Sequence, residues 1–532
     1  MSSDLVVYDT TLRDGAQQEG MNLSVADKLT LLPLLEDYGA DIIEGGWPGA
    51  IPRDTEFFRM ATAEGTLTRA RLAAFGSTRK ANVDVGDDQQ VQALLDSQAP
   101  IITLVAKSDV RHVHKALRTT EEENLAMVED TVAYLLSHGR EVMVDLEHFF
   151  DGAVVDRDYT FSVAETAVRA GASTIIPCDT NGGSLPGEVQ SRVAELIDHL
   201  AERGLSATIG IHAHNDGELA VANTLAAVAA GASHIQGTVN GYGERTGNAN
   251  ILTAIANLQL KTDRKVVTEQ QLAEHTHISH AVAEIVNIAP YGRQPYTGVS
   301  AFAHKAGLHA SAIRVDADLY QHIDPARVGN DMRMIVSDMA GRASIELKAR
   351  EVGLDLSQRP DVLSEVTKRI KQAEAQGYTY DATDASVELL IREIATGERM
   401  SFFEIESWST HLSGSSSESN VAEAVVKVRT GRGRAVTVGE GVGPVDALDQ
   451  ALRGALAPVY PELDVCELTD FKVRILDASA ATRATTRVII SMSSPHGSWA
   501  TVGVGRDVID ASWEALTDGY AYGLFKAGVP KR

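Results

Sequence analysis

Cysteine is scarce in this chain, which has two among 532 residues. Cys178 and Cys466 lie far apart in the sequence and cannot form the closely spaced disulfide framework of a small secreted domain. Such low usage is typical of a reducing compartment, and neither thiol stands out as a nucleophile.

Long apolar runs are also missing. No uninterrupted run reaches the length of a membrane span, and the N-terminal residues MSSDLVVYDTTL lack the basic flank and apolar segment of a secretory leader. These absences predict a cytoplasmic protein with no membrane partner.

Basic residues are outnumbered, because 48 Lys and Arg face 73 Asp and Glu, a formal net charge of −25. Phosphate backbones are bound by basic patches, and none of adequate length is present, so the sequence argues against a nucleic-acid partner. The acidic surplus also constrains function. If the substrates are anions, a metal ion, Arg or Lys side chains or helix N-termini must make their site locally positive.

What the chain does have is 44% hydrophobic residues and a regular alternation of strand-like and helix-like segments. Its length predicts two or three domains. From residue 5 to about 260 we predict eight strands, at 5–9, 41–45, 71–76, 101–106, 141–147, 174–179, 208–214 and 234–240. Eight βα units are what a TIM barrel needs, so the predicted fold class is α/β with a (β/α)8 barrel over residues 1–262.

Two further parts follow the barrel. A linker and a small, mostly helical section are expected over residues 263–398. Residues 399–532 contain a repeat, because VTVGEGVGPVDALDQAL begins at Val436 and ATVGVGRDVIDASWEAL at Ala500, 64 positions later. Each copy indicates strands, a glycine turn and a helix, which predicts a duplicated α+β domain for binding or assembly. The Ser-rich stretch 412–420 is interpreted as a tether.

Polar residues gather where the predicted barrel strands end. YDTTLRDG places Arg13 and Asp14 after the first strand, and Glu44, Glu147 and Thr180 follow the second, fifth and sixth. Catalytic groups of TIM barrels lie at this end of the strands, so the set predicts a site at the barrel mouth. For Arg13 and Asp14 alone, a solvated ion pair on a surface turn is the competing interpretation.

HAHND, at the end of the seventh strand, points His212 and His214 to the same side of the sheet. Asp14 comes from the first strand, the neighbour of the eighth in a closed barrel, and Asn248 follows the eighth. Three or four N and O ligands then converge, which favours a catalytic divalent ion (Zn²⁺, Mn²⁺ or Mg²⁺) over a closed structural zinc site. A structural role for the two histidines is the alternative.

Two other motifs carry weaker predictions. His275, His277 and His280 lie on a predicted helix after the barrel with no converging carboxylate, and we expect them on a solvated helix face. The glycines of NGYGERTGN, after strand eight, either make turns or bind an anion.

An open metal position beside Arg13 suits a 2-oxo acid, which chelates through its carboxylate and carbonyl oxygens. Arg13 and the ion would then stabilise negative charge on the carbonyl oxygen. The carbonyl carbon becomes an electrophile for a carbanion or for water. The residues alone leave open carbon–carbon bond formation, its reverse and hydrolysis.

Six motifs, YDTTLRDG, EGGWPG, DLEHFFDG, CDTNGG, HAHND and NGYGERTGNAN, together resemble the acyl-CoA Claisen-condensing metallolyase superfamily, which includes 2-isopropylmalate, homocitrate and citramalate synthases. The resemblance spans the whole chain. EHFFDG, NGYGERTGNAN, SAFAHKAGLHASA and Ala16 after LRDG look most similar to the long bacterial citramalate branch. This resemblance implies that the protein condenses acetyl-CoA with pyruvate and hydrolyses the thioester in isoleucine biosynthesis. The use of another 2-oxo acid, as in isopropylmalate or homocitrate synthesis, is the alternative.

The resemblance also implies roles for individual residues. Metal ligation falls to Asp14, His212, His214 and Asn248, and substrate binding falls to Arg13, Glu44 and Thr180. Arg13 stabilises charge, and Glu147 works with His309, inserted from the partner subunit, in proton abstraction from acetyl-CoA. Met332 stands where isopropylmalate synthases tend to have Tyr, so an auxiliary role of that Tyr has no counterpart here.

The repeated C-terminal section resembles the regulatory and dimerisation domain of these synthases. It implies a homodimer or higher homo-oligomer and allosteric inhibition by isoleucine as the end product. An effector-binding protein on an inactive barrel is the alternative from a different class, and the complete ligand set argues against it.

Overall fold

The computed structural model describes residues 5–65, 67–415, 418–477 and 484–530. The chain divides into two compact units. One comprises residues 1–302 and 323–331, and the other comprises residues 303–322 and 332–532. Within the described ranges, no helix is both long and apolar enough to cross a membrane.

The first unit contains the closed barrel that the alternation predicts. Its eight strands, β1 to β8 in chain order, are Val6–Asp9, Ile42–Gly46, Arg71–Ser77, Ile101–Lys107, Glu141–Glu147, Thr174–Asp179, Thr208–Ala213 and His234–Gly237. Each strand pairs in parallel with the next, and β1 closes the ring against β8 with Val7 opposite Ile235. The TIM-barrel prediction is therefore confirmed.

Helices connect the strands on the outside of the barrel. They span Val25–Asp37, Pro52–Glu64, Gln89–Asp96, Val110–His112, Glu121–Ser137, Phe149–Val155, Arg157–Ala170, Pro186–Glu202, Ala220–Ala229 and Ile251–Lys261, and a π-helical turn covers Val113–Leu117. The helix Glu121–Ser137 begins as its sequence predicts, because the Thr120 side chain accepts a hydrogen bond from the backbone N–H of Glu123. Two more helices, Glu269–Ala273 and His275–Ile285, complete this unit.

Two barrel strands end earlier than predicted, and the reason is local backbone conformation. β8 stops at Gly237 because Asn240 and Gly241 adopt left-handed conformations, with φ of 60° and 74°, in a 3-10 turn. β7 stops at Ala213, and His214 instead forms an isolated bridge with Asn248. That bridge holds the loop after β8 against the loop after β7.

The second unit begins with helices and ends in two similar modules. The helices are Gly307–Ile313, Arg342–Glu351, Pro360–Ala375 and Asp384–Thr396, with short paired strands Ala303–His304 and Arg333–Met334. Three antiparallel strands, Glu404–Ser415, Glu418–Thr430 and Gly433–Gly441, precede the helix Pro444–Leu456. The second module repeats this order with Glu467–Ile475, Thr486–Ser494, Gly497–Gly505 and Val508–Lys526. The duplicated α+β domain is thus present.

The repeated threonines make the same contact in the two modules. The Thr437 hydroxyl donates to the carbonyl of Ala451 and the Thr501 hydroxyl to that of Ala515, both at 2.7 Å. In each case the bond ties the third strand of a module to its helix. The tether prediction for residues 412–420 is wrong where the structure describes the stretch, because its backbone continues two paired strands, with Ser415 opposite Glu418. Residues 416 and 417 lie outside the described ranges.

Candidate active site

Arg13 lies at the carboxyl end of β1, and its guanidinium contacts Glu44 and Phe75. Its Nε donates to Oε2 of Glu44 at 2.7 Å, and its guanidinium carbon lies 3.9 Å from the centre of the Phe75 ring. The side chain is 11% exposed. The alternative of a solvated ion pair is therefore wrong, because Arg13 is a fixed cation inside the barrel mouth.

Glu44 is fully buried and has three donors. Besides Arg13, its carboxylate accepts hydrogen bonds from the hydroxyls of Tyr8, at 2.7 Å, and Thr10, at 2.5 Å. These contacts satisfy both oxygens and orient them toward β1. Glu44 therefore sits where it fixes the position of Arg13.

Asp14, His212 and His214 converge as the sequence predicts. Oδ2 of Asp14 lies 3.1 Å from Nε2 of His212 and 3.5 Å from Nε2 of His214, and the two Nε2 atoms are 3.2 Å apart. Within the part of the chain that the structure describes, this is the set of three potential ligands whose atoms come together within 4.8 Å. All three residues are buried or nearly so.

The hydrogen-bond partners of the Nδ1 atoms of His212 and His214 determine whether their Nε2 atoms can bind a cation. Nδ1 of His214 lies 2.6 Å from the carbonyl oxygen of Thr180, which only accepts, and 2.9 Å from Nη2 of Arg245, which only donates. The tautomer that donates from Nδ1 to Thr180 keeps a lone pair on Nε2. Nδ1 of His212 faces Oε1 of Gln236 at 2.7 Å. Lone pairs and a carboxylate oxygen then face one another at about 3 Å. Such a group of acceptors fits a divalent cation.

Asn248 follows β8, and its backbone forms an isolated bridge with His214. The residue is buried, and its Oδ1 has no hydrogen-bond partner among the described residues, which is unusual for a buried amide oxygen. Its Nδ2 donates to the carbonyl of Tyr242 at 3.2 Å. The backbone bridge to His214 and the unpaired, buried oxygen keep Asn248 as a candidate fourth ligand.

The glycines of NGYGERTGN make room for Asn248. A Cβ on Gly243, whose φ is +153°, would lie 2.2 Å from Nδ2 of Asn248, and one on Gly247 would lie 1.9 Å from the carbonyl oxygen of Gly241. Of the two sequence interpretations, the turn-making role has this direct steric support.

Charges around Asp14 favour its ionised form. Burial raises the pKa of its carboxyl, but the positive charge of the Arg13 guanidinium and the close approach of the His212 and His214 rings outweigh burial and hold the pKa well below its usual range. Asp14 is therefore an anion at neutral pH, as a metal ligand must be.

Glu147 and Thr180 share one cavity with the converging group. The cavity has a volume of about 320 Å³, and its lining includes Arg13, Asp14, Glu147, Thr180, His212 and His214. Glu147 is ion-paired with Lys107, and the Thr180 hydroxyl accepts from the backbone N–H of His148 at 2.8 Å. The buried Cys178 thiol also lines the cavity, and burial raises its pKa, as expected for a non-nucleophilic cysteine.

His309 belongs to the second unit, on the helix Gly307–Ile313. Its ring stacks on Tyr320 with the ring centres 4.0 Å apart. The first unit therefore contains every predicted site residue except this one, and a function for His309 at the barrel stays a prediction.

Sequence reasoning missed Asp145 and Gln236, which lie inside the barrel and are linked to His212 by hydrogen bonds. Asp145 precedes Glu147 by two positions on β5 and lines the same cavity, and Gln236 is fully buried on β8. Burial raises the pKa of Asp145 to about 7. A signal was available, because both are polar residues within otherwise apolar strand segments.

The prediction for the second histidine group is wrong at one position. His275 is fully buried, with its ring 6.4 Å from that of Tyr38 and edge-on to it, whereas His277 is exposed as expected. His275 occupies the face of its helix that packs on Val25–Asp37. The position of His275 on the packed face of the helix, rather than the polarity of its side chain, determines that it is buried.

Comparison with known proteins agrees with this architecture. Residues 4–282 match the HMGL-like family model, residues 296–378 the homocitrate synthase post-HMGL domain-like model, and residues 381–524 the LeuA allosteric (dimerisation) domain model.

Curated relatives align over nearly the whole chain. The chain is 57% identical to a Streptomyces coelicolor protein named (R)-citramalate synthase, over 98% of this chain and 97% of that protein. It is 45% identical to a Synechocystis protein of the same name, over 98% and 96% of the two chains. A Methanopyrus kandleri protein named probable 2-isopropylmalate synthase is 29% identical, over 96% and 97%. Because the highest identities extend over almost the full length of both chains, the protein belongs to the HMGL-like family and, within it, to the (R)-citramalate synthases.

Proposed function

We propose that the barrel site condenses acetyl-CoA with pyruvate and hydrolyses the resulting thioester, giving (R)-citramalate and free CoA. The observation that carries this proposal is the convergence of Asp14, His212 and His214 in one cavity with Arg13 and Glu147. A cation site, a fixed guanidinium and a carboxylate base are the groups that an aldol-type addition to a 2-oxo acid requires.

Asp14, His212, His214 and Asn248 would hold a divalent ion, with Zn²⁺, Mn²⁺ and Mg²⁺ as the candidates. When bound, the ion would polarise the carbonyl of the 2-oxo acid and offset its carboxylate charge. The unpaired oxygen of Asn248 and the facing Nε2 atoms support this assignment.

Arg13 is proposed to bind the 2-oxo acid and to stabilise the negative charge that develops on its carbonyl oxygen. Its side chain lines the cavity, Nε donates to Glu44, and Nη1 lies 3.4 Å from Oδ2 of Asp14. Glu44 serves substrate binding by fixing this guanidinium. The Thr180 hydroxyl lines the same cavity and is a second contact for the oxo acid.

Glu147 is the proposed base, together with His309 from the partner subunit of a homodimer or higher homo-oligomer. A methyl proton of acetyl-CoA passes to this pair, and the resulting enolate carbon bonds to the pyruvate carbonyl carbon. The carbonyl oxygen takes up a proton, which gives citramalyl-CoA. Water then cleaves the thioester, and CoA leaves as the thiol.

The C-terminal modules are proposed to dimerise and to bind isoleucine as an allosteric inhibitor, in a cytoplasmic enzyme of isoleucine biosynthesis. The match to a LeuA allosteric (dimerisation) domain supports this. The functional division into residues 1–262, 263–398 and 399–532 is part of the proposal. A truncation after residue 398 is a poor test of it, because Ser386 accepts from the N–H of Val502, and Tyr522 donates to Glu388, across that boundary.

The deciding experiment measures CoA release from acetyl-CoA with pyruvate, 2-oxoisovalerate and 2-oxoglutarate, with Mn²⁺ or Mg²⁺ and with excess chelator. We expect metal-dependent turnover that is fastest with pyruvate. A preference for 2-oxoisovalerate would favour isopropylmalate synthesis at the same site. No thiol release with any oxo acid, and no bound metal, would favour an effector-binding protein instead.

A further inference from the structure

A buried polar chain runs behind His212 inside the barrel. Nδ1 of His212, on β7, lies 2.7 Å from Oε1 of Gln236, on β8. Nε2 of Gln236 in turn donates to Oδ1 of Asp145, on β5, at 3.1 Å. Gln236 is fully buried and Asp145 is 4% exposed, so both lie out of contact with bulk water.

The direction of this chain determines which nitrogen of His212 carries its hydrogen. An amide has one donor end and one acceptor end, and the Asp145 oxygen takes the donor end. The acceptor end, Oε1, therefore faces His212, so Nδ1 must supply the hydrogen. Nε2 is left with a lone pair 3.1 Å from Oδ2 of Asp14.

We infer that Gln236 and Asp145 are positioning residues that hold His212 in the one tautomer able to bind a divalent ion. The other tautomer would place an N–H at Nε2 and could not ligate. The inference rests on the metal site proposed above.

The two histidines differ in the groups that face their Nδ1 atoms. Nδ1 of His214 faces the Thr180 carbonyl, which is part of the backbone and cannot turn over, and also Nη2 of Arg245. The Gln236 amide can turn over about its last bond, and the reversed amide would present N–H to His212. Asp145 prevents this reversal by accepting a hydrogen bond from Nε2 of Gln236. This role accounts for a buried carboxyl group inside the barrel.

The test measures the dissociation constant of Mn²⁺ for metal-stripped full-length protein without substrates, by the EPR signal of free Mn²⁺. Gln236→Met removes the acceptor at similar volume, and we expect Mn²⁺ to bind roughly 10- to 100-fold more weakly. Asp145→Leu should weaken binding in the same direction but less, because the amide remains and only its orientation is lost.

The double variant Asp145→Asn, Gln236→Glu exchanges the amide and the carboxylate. The carboxylate then accepts from Nδ1 of His212 and from the new amide at position 145, so the tautomer is preserved. We expect its Mn²⁺ affinity to return to within a few-fold of the wild type. A role in packing alone would give no such recovery.

Asn223 supplies a matched control. Its Nδ2 donates to a carboxylate oxygen of Asp179 at 3.1 Å, and it is fully buried, but its recorded side-chain bonds go to Asp179 and Ser184 rather than to a histidine. Asn223→Met should lower the melting temperature without changing Mn²⁺ affinity.

The outcomes separate the inference from the proposed function. If the wild type binds Mn²⁺ and Gln236→Met binds it within twofold of the wild type, or no more weakly than Asn223→Met, the inference is wrong and the metal site stands. A double variant that binds as weakly as Gln236→Met also overturns it. If Gln236→Met does not fold, Asp145→Leu and the double variant decide in the same way. A wild type that binds no divalent ion refutes the metal site and the inference together.

Discussion

The Nε of Arg13 and Oε2 of Glu44 are 2.7 Å apart, with the Arg13 side chain 11% exposed and that of Glu44 fully buried. Nε of the guanidinium is thereby committed to Glu44, Nη1 lies 3.4 Å from Oδ2 of Asp14, and the side chain lines the cavity. We expect Arg13 and its sequence neighbour Asp14 to have separable roles, since it is Asp14 whose carboxylate faces the histidines.

Single substitutions at Asp14 and at Arg13 should separate loss of metal binding from loss of charge stabilisation. Asp14→Asn should lose activity together with bound metal, because the anionic ligand is gone. Arg13→Lys, which keeps the charge but not the planar fork, should lower kcat by about 10²- to 10³-fold with the metal retained. Turnover and metal content of the same purified samples check this. Equal metal loss in both variants would contradict the division of roles.

A second prediction concerns Glu44, which the geometry makes a positioning residue. Glu44→Gln keeps the shape but replaces an acceptor with an amide N–H, so it cannot accept from Tyr8, Thr10 and Arg13 together. We expect kcat/KM for the 2-oxo acid to fall roughly ten- to hundredfold, the scale of a hydrogen bond to a charged group. KM for acetyl-CoA should change little. An equal effect on both substrates would indicate general loss of structure rather than misplacement of Arg13.

The barrel and the meeting of the candidate ligands could be predicted because the same physical pattern locates both. Parallel strands end at one edge, so Asp14, His212 and Asn248, distant in sequence, had to lie near one another. Gln236 and Asp145 could not be placed in the same way, because a polar residue within a strand does not reveal which partner it faces. The strand ends at residues 213 and 237 depend on left-handed residues and on a bridge between loops, which strand propensity does not include.

A third prediction tests the packing that the repeat encodes. A Cβ on Gly439 would lie 2.3 Å from the backbone N of Ala451, so Gly439→Ala must push the helix Pro444–Leu456 off its sheet. We expect a loss of about 3 kcal/mol or more in the free energy of unfolding, at or above the upper end for overpacking. Gly454→Ala, on that helix with its nearest neighbour atom 4.0 Å away, should be neutral or stabilising by up to about 1 kcal/mol. Calorimetric unfolding of the two variants measures the contrast, and similar losses would contradict it.

The final prediction uses the buried His275 as a probe of stability against pH. Burial lowers the pKa of His275 to about 3, and neither ring nitrogen has a hydrogen-bond partner within the described residues. An unfolded histidine has a pKa near 6.5, so the unfolded chain binds a proton that the folded chain refuses between about pH 6.5 and pH 3. The contribution of His275 to the free energy of unfolding is fully present above pH 6.5 and is lost as the pH falls through this window, by about 2 kcal/mol at pH 5.

His275→Phe keeps the ring against Tyr38 and should remove this loss, so its stability relative to the wild type should rise as the pH falls from 7 to 5. His277→Phe, on the exposed side of the same helix, should leave the pH dependence unchanged. Urea unfolding at the two pH values measures the difference, and parallel pH profiles for wild type and His275→Phe would mean that the imidazole is protonated or solvated in the folded protein.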